Sequence, residues 1–428
     1  MKIVIDQKQE VARRSVENIR NIAETMGERN TGSEGEKRTA DFYTSRLENA
    51  CDFVKTESFD VYPDAYTGWT YIVGTLSILA LVSYFFSAMV SVLLVAIALT
   101  VYIVQFVLGK RFLDPLYKKE KSQNVTAIKK SLNAPKCRVF FVSSVDATKE
   151  WTLIRRLGGT MLTIVLCAVF VGLVYLLAID VARWIIVGGL GAEIANGDML
   201  VAGYVAIVFA PCWLSLFFFV NHRKVIEGAN ENLSGCETAV AIVEEMSAKN
   251  VTANDVEVGV ILTGGEQSGL RGAKSWCDIH AKDFADVPTY FVHLGVLKEP
   301  KCICINDKER CGLIKADESL VNMLVDCANS ANVKCKKSTL GLFGTTDASV
   351  FSEYGLKSAS VTGFDGRKCP EYLHTRYDTA DNTSEFCIAN AFEMCCALVE
   401  KLDGGTKLKR TTTNKSKSGE AAFLFCNI

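Results

Sequence analysis

Residues 257–276 read EVGVILTGGEQSGLRGAKSW, and the order of residue types in this stretch decides the fold. From Glu257 to Thr263 the chain is short, β-branched and almost wholly apolar, which predicts a buried strand. Gly264 and Gly265 stop it. Glu266 follows at once, and from about 268 to 282 the pattern changes to that of a helix. A polar side chain delivered where a buried strand gives way to a turn and a helix is how α/β sheets build their sites.

Working outward, further strands are predicted at Phe53–Val61, Asn124–Ile128, Arg138–Ser143, Thr289–Leu294, Cys302–Ile305 and Ser358–Thr362. Helices are predicted at 6–27, from Ser33 to about Ala50, and at about 235–248, 316–331 and 384–402. In the first, Ala12, Val16, Ile19, Ala23 and Met26 recur at three- and four-residue spacing before Gly27. Ser33 and Glu36 make a capping box for the second. Strands alternating with helices predict an α/β fold whose sheet is sandwiched between helices.

Composition adds a second architecture. The 428 residues carry 47 Lys+Arg and 48 Asp+Glu, which excludes a nucleic-acid binder driven by bulk charge and a self-repelling disordered chain. Hydrophobic residues make up 49%, and Trp69 to Gly109 contains no charged residue. Such a run exceeds any buried core helix, so a purely soluble protein is excluded. It holds two spans with a turn near Ser87, and Gly158–Ile179 and Met199–Val220 give two more. Asp180, Arg183, Glu193 and Asp198 lie between this second pair. The predicted organisation is a discontinuous domain of residues 1–68, 110–157 and 221–403, transmembrane hairpins at 69–109 and 158–220, and a disordered tail at 404–428.

Lys110, Arg111, Lys118, Lys119 and Lys121 follow the first hairpin. Arg155 and Arg156 precede the second, and His222, Arg223 and Lys224 follow it. The positive-inside rule then puts every polar segment in the cytoplasm. The 16 cysteines, scattered without metal-knuckle spacing, read as reduced thiols. The start MKIVIDQKQE lacks the apolar core of a secretory leader, so no cleaved peptide is expected.

Four motifs fall where strands end: FFVSSVDATKEW with Asp146, GANENLSG over Gly228–Gly235, ILTGGEQSGLRGAK with Glu266, and YLHTRYDT with His374. In this order they resemble the di-zinc aminopeptidase superfamily, which includes bacterial leucyl aminopeptidases and glutamate carboxypeptidase-like proteins. The likeness covers about residues 6–68 and 110–402 and is nearest to a bacterial membrane branch with inserted helices. NTGSEGE (30–36) and GTTDASVFSEYG (Gly344–Gly355) fit that branch too.

The resemblance implies a mixed sheet between helices and a set of site positions. The first motif of the family holds His-x-Asp; here Ser144 stands at the His, and Asp146 is kept. Glu231 stands at the bridging Asp. Glu266 is kept as the general base, while Gln267 stands at the ligand Glu that follows it. Gly295, in YFVHLGVLKEP, stands at a ligand Asp, and His374 is kept at the last ligand. The family chemistry is hydrolysis of an amino-terminal peptide bond, with two zincs polarising the carbonyl and activating water.

One zinc position is thereby reduced to Ser144, Glu231 and Gly295, which is a set without adequate donors. The other keeps Glu231, Gln267 and His374, where a neutral amide replaces a carboxylate. At most one weakly bound zinc is expected, or none. His293 lies two residues before Gly295, on the same strand face, and could replace the lost ligand; the simpler expectation is a satisfied imidazole under the sheet. His374 could hydrogen-bond Asp347 or Asp378. His222 is expected as a flank residue and His280 on a helix surface.

The expected function is a membrane-anchored aminopeptidase-like protein that binds a peptide or a membrane-proximal protein, and no nucleic acid, without efficient hydrolysis. The alternative is an active metallo-aminopeptidase using one zinc and Glu266 as base. A transporter is disfavoured because the spans carry almost no charge. The expected location is the plasma membrane of a bacterium. The second hairpin separates two motifs that must meet in one pocket, so the site is expected close to the membrane surface.

Overall fold

A computed structural model describes residues 7–187, 195–299, 303–341, 344–367, 369–404 and 409–410. Helices α1 (Lys8–Thr25) and α2 (Glu34–Ala50) come first. The main strands are β1 (Phe53–Val61), β2 (Glu120–Lys129), β3 (Cys137–Ser144), β7 (Val256–Thr263), β8 (Thr289–Leu294), β9 (Ile303–Glu309), β10 (Ile314–Lys315), β11 (Cys335–Thr339) and β12 (Lys357–Thr362). They form one mixed sheet in the order β1-β2-β7-β3-β8-β12-β9-β10, with β11 also on β9. The centre, β7-β3-β8-β12, is parallel, and its flanks are antiparallel except for β11, which runs parallel to β9.

Helices cover both faces, as the near-continuous apolar central strands require. On one side α1, α2, α7 (Ser234–Ala248), α9 (Glu318–Ser330) and α11 (Glu385–Leu402) contribute to the larger core. On the other, α8 (Arg271–His280) and α10 (Asp347–Glu353) pack Trp276, Cys277, Val350 and Phe351 against Phe140, Ile261 and Phe291. The sandwich is the expected one, and β8 has the expected bounds. Helix α8 starts later than expected because Gly265, Gly269 and Leu270 all adopt positive φ, which keeps 265–270 out of the helix.

Among the described residues, four helices are long and apolar enough to cross a membrane: α3 (Ala65–Tyr84), α4 (Ala88–Val107), α5 (Thr152–Val187) and α6 (Gly197–Phe218). They share a core of their own, built on Trp69, Leu166, Leu173 and Trp213. Leu79, Val82, Phe86, Met89 and Leu93 remain exposed, an apolar surface suited to lipid. Ser87 is the N-cap residue of α4, where the first turn was expected. The second hairpin differs. Asp180 and Arg183, expected in its connection, sit buried within α5, where Asp180 accepts from Ser91 Oγ at 2.7 Å and Arg183 donates to the Tyr84 carbonyl.

Two short strands, β4 (Lys149–Trp151) and β5 (Val220–Val225), pair antiparallel and clamp the foot of that hairpin. Neither was expected, since three to six residues carry too little periodicity to be recognised. Short strands β6 (Val251–Thr252) and β13 (Lys409–Arg410) also pair, β13 lying within the segment expected to be disordered; 405–408 and 411–428 lie outside the described residues. The thiols of Cys236, Cys277, Cys327, Cys395 and Cys396 are free and buried.

Candidate functional site

Strand register brings the motifs together. Ser144 pairs with Thr263 across β3 and β7, and Val142 pairs with His293 across β3 and β8. The carboxyl ends of these strands are therefore level, and the loops after them converge. A cleft of about 950 Å3, its open mouth included, is lined there by Glu231, Glu266, Gln267, His293, Gly295 and His374. Tyr66, Phe106 and Val107, from the ends of α3 and α4, form part of its wall.

Asp146 stands behind the cleft, fully buried. It orients no imidazole. Its Oδ1 accepts from the Glu266 amide at 3.1 Å, and its Oδ2 from the Gln267 amide at 3.0 Å and Thr31 Oγ1 at 2.7 Å. The residue thus shapes the Glu266–Gln267 turn. Burial pushes its carboxyl up to about 7, and the Glu266 carboxylate adds to the shift.

Ser144 donates its hydroxyl to Glu266 Oε2, and Asn232 Nδ2 donates to the same oxygen. Glu266 Oε1 points instead at His293 Nε2, 3.4 Å away. Burial raises the Glu266 carboxyl, but the facing imidazole together with the Ser144 and Asn232 hydrogen bonds outweighs it and the net shift is downward; His293 shifts upward in return, against its own burial. His293 is 1% exposed, and neither ring nitrogen has a hydrogen-bond partner. The expected satisfied imidazole is therefore replaced by an orphaned one.

The other end of the cleft joins Glu231, Gln267 and His374. His374 Nδ1 lies 3.2 Å from Glu231 Oε2, with neither atom hydrogen-bonded, and Gln267 Nε2 donates to Glu231 Oε1 at 3.3 Å. Burial pushes the His374 imidazole down to about 4 and the Glu231 carboxyl well up. His374 stacks on Trp151 at 4.3 Å, and the Trp151 amide donates to its carbonyl at 2.8 Å. The foot of the second hairpin thus fixes this histidine.

Neither Asp347 nor Asp378 bonds His374. Asp378 accepts from the Asn230 amide at 2.8 Å, Asn230 Nδ2 at 2.7 Å and the Glu231 amide at 3.0 Å. Asp347, 0% exposed, accepts from Thr263 Oγ1 and leaves Oδ1 without a partner. His280 also departs from expectation: it is buried, with Nε2 2.7 Å from Glu57 and Nδ1 2.9 Å from Asp283. His222 is exposed on β5.

A zinc ion fits these residues unequally. Glu231 and His374 offer orphaned buried atoms and Gln267 an amide oxygen, so this set could hold one ion and supply Lewis-acid chemistry. The Ser144–Glu231–Gly295 set does not fit, because Gly295 has no donor and the Ser144 hydroxyl is spent on Glu266. Asn232, Asp347, Asp378 and Trp151 were missed as site residues. For His293 the signal was present: its strand parity with Gly295 put it on the cleft face.

Residues 219–399 match the profile of Peptidase family M28. The fold is similar to that of the LapA aminopeptidase of Legionella pneumophila, at 12% identity and TM-score 0.53, over 95% of this chain and 75% of that one. It is similar also to BSAP, a zinc aminopeptidase from Bacillus subtilis, at 12% identity and TM-score 0.53, over 91% of this chain and 95% of that one. A glutaminyl cyclase of Fimbriiglobus ruber gives 13% identity and TM-score 0.54, over 91% and 94%. No curated protein matches the sequence. The chain thus has the zinc-aminopeptidase fold, and the resemblance to the di-zinc aminopeptidase superfamily read from the motifs holds.

Proposed function

We propose that this protein is a membrane-anchored relative of zinc aminopeptidases that binds a peptide end, or the end of a membrane-proximal protein, without efficient hydrolysis. The observation that carries this reading is the fate of Glu266. The side chain placed to serve as general base is held at Oε2 by Ser144 and Asn232 and faces His293 with Oε1. A base so engaged is poorly disposed to take a proton from water. At most one zinc is bound. The peptide would be recognised by the polar groups of the cleft and its apolar wall, and Tyr66, Phe106 and Val107 in that wall favour a ligand arriving along the membrane surface. The second reading, hydrolysis with one zinc and Glu266 as base, draws on the orphaned Glu231–His374 pair. A peptidase assay on purified protein with and without zinc decides between them: measurable release of amino-terminal residues, abolished in Glu266→Gln, would overturn the first.

Restoring the lost ligands gives a sharper test. A Cβ on Gly295 would lie 3.5 Å from His293 Cε1 and 3.3 Å from Thr362 Cγ2. The variant Ser144→His, Glu231→Asp, Gln267→Glu, Gly295→Asp is therefore expected to gain little zinc affinity until His293→Ala is added. The five-fold variant is expected to bind zinc at least tenfold more tightly than the parent by calorimetry. A folded five-fold variant with unchanged affinity would show that the cleft itself has diverged.

The proposed location is a bacterial plasma membrane, with the peptidase-like domain in the cytoplasm, supported by the basic flanks of both hairpins. Cys311 is exposed. In intact cells it should resist a membrane-impermeant maleimide and react after lysis; labelling from outside would reverse the orientation.

A further inference from the structure

Glu266, His293 and Asp347 each offer one ligand atom, and these atoms all lie within 4.8 Å of one another. They come from three separate elements: the loop after β7, strand β8 and the first residue of α10. None belongs to the set Glu231, Gln267 and His374 discussed above, and Asp347 is in a segment to which the resemblance assigns no ligand. We propose that the one divalent ion bound by this cleft sits between Glu266, His293 and Asp347, a metal position made from residues other than the ancestral ligands. The inference rests on the reading that the old di-zinc set has degenerated.

The geometry has three supporting parts. Each carboxylate has one oxygen anchored and one turned inward. Glu266 Oε2 is held by Ser144 and Asn232, while Oε1 faces His293; Asp347 Oδ2 is held by Thr263, while Oδ1 has no partner. Anchored sister oxygens are how outer residues orient metal ligands. Second, His293 lies beside the position of the lost side chain at 295, at ordinary contact distance. A Cβ on Gly295 would stand 3.5 Å from its Cε1 and 3.7 Å from its Nδ1. Third, the spacing suits zinc. Ligands about 2.0–2.2 Å from a tetrahedral zinc lie roughly 3–3.5 Å apart, and His293 Nε2 is already 3.4 Å from Glu266 Oε1.

Charge decides between the two ends of the cleft. Two carboxylates and an imidazole neutralise a divalent ion, and three protein ligands leave one position open. The Glu231 end offers one carboxylate, one imidazole and an amide whose nitrogen faces Glu231. An ion at the new position would also occupy the free oxygen of Glu266 and so remove it as a base. A working metal position and weak hydrolysis then have the same cause.

The test uses zinc and the full-length protein in detergent. His293→Ala and Asp347→Asn are each expected to weaken zinc binding at least tenfold by competition with a chelating dye. Glu231→Gln and His374→Ala are expected to weaken it less than threefold. The reverse ranking, or no zinc binding by the parent, would overturn the proposal. Should the first pair fail to fold, the parent itself is decisive: crystals soaked in zinc should show an anomalous peak between Glu266, His293 and Asp347, and a peak only between Glu231 and His374 would refute it. Peptidase activity, measured separately, tests the loss of hydrolysis without bearing on where the ion lies.

Discussion

Gly235→Ala is expected to lower the stability of the protein by about 3 kcal/mol or more, because the added methyl has no space. A Cβ there would stand 2.0 Å from the Leu294 carbonyl oxygen, 2.5 Å from Ser143 Oγ and 2.8 Å from the Leu294 carbonyl carbon. Leu294 ends the central strand β8, so its carbonyl cannot swing aside without breaking the sheet. The close approach serves the site, since it presses the start of α7, and with it Glu231 and Asn232, onto the ends of β3 and β8. Gly27→Ala is the control. Gly27 has φ +80 but nothing within 4 Å of its Cβ position, so only backbone strain of roughly 1 kcal/mol is expected. Thermal melts of detergent-purified variants measure both, and a Gly235→Ala melt no lower than that of Gly27→Ala would remove the argument.

Asp378→Ala is expected to cost roughly 3 to 5 kcal/mol, since each buried donor left without an acceptor costs about 1–3 kcal/mol. The carboxylate is fully buried and satisfies three donors, two of them backbone amides of the Glu231 loop. Burial shifts its carboxyl upward, and the donors from Asn230 and Glu231 oppose that shift. Removing the side chain orphans all three donors at once. Asp378→Asn keeps one acceptor oxygen for Asn230 but turns an amide NH2 toward the Glu231 amide, so less than the full cost is expected. Hydrogen exchange should localise the damage in Asp378→Ala to residues 228–235. Equal melts for the two variants would mean that the bonds to Asp378 contribute little.

The helix cap at Ser33 shows how far local pattern reaches. The Glu36 amide does bond Ser33 Oγ, at 3.1 Å, as the capping box requires. The returning half does not form. Glu36 Oε2 takes the Gly32 amide at 2.6 Å, and Oε1 takes Ser122 Oγ at 2.8 Å and the Gly265 amide at 3.1 Å. A carboxylate expected to serve its own helix instead ties that helix to the turn that carries Glu266. Local spacing cannot show this, because Ser122 and Gly265 are distant in sequence.

Much of the architecture was determined by the sequence alone. Periodicity, glycine stops and uncharged runs specify strands, helices and four apolar spans, since each depends on neighbours within one or two turns of chain. The order of the four motifs pointed to the peptidase-like fold, and the absence of a ligand atom at Gly295 is legible in the sequence, because a residue that lacks a donor lacks it in any conformation. Only the tertiary structure decided which side chains stand together in the cleft. Ser144 and Asn232 hold Glu266, His293 stands beside Gly295 and faces Glu266, and Asp347 arrives on α10 from some eighty residues further along the chain. The physical reason is that metal ligation and proton transfer depend on separations of a few ångströms between side chains from different strands. Strand register and helix packing set those separations, and no single segment carries them.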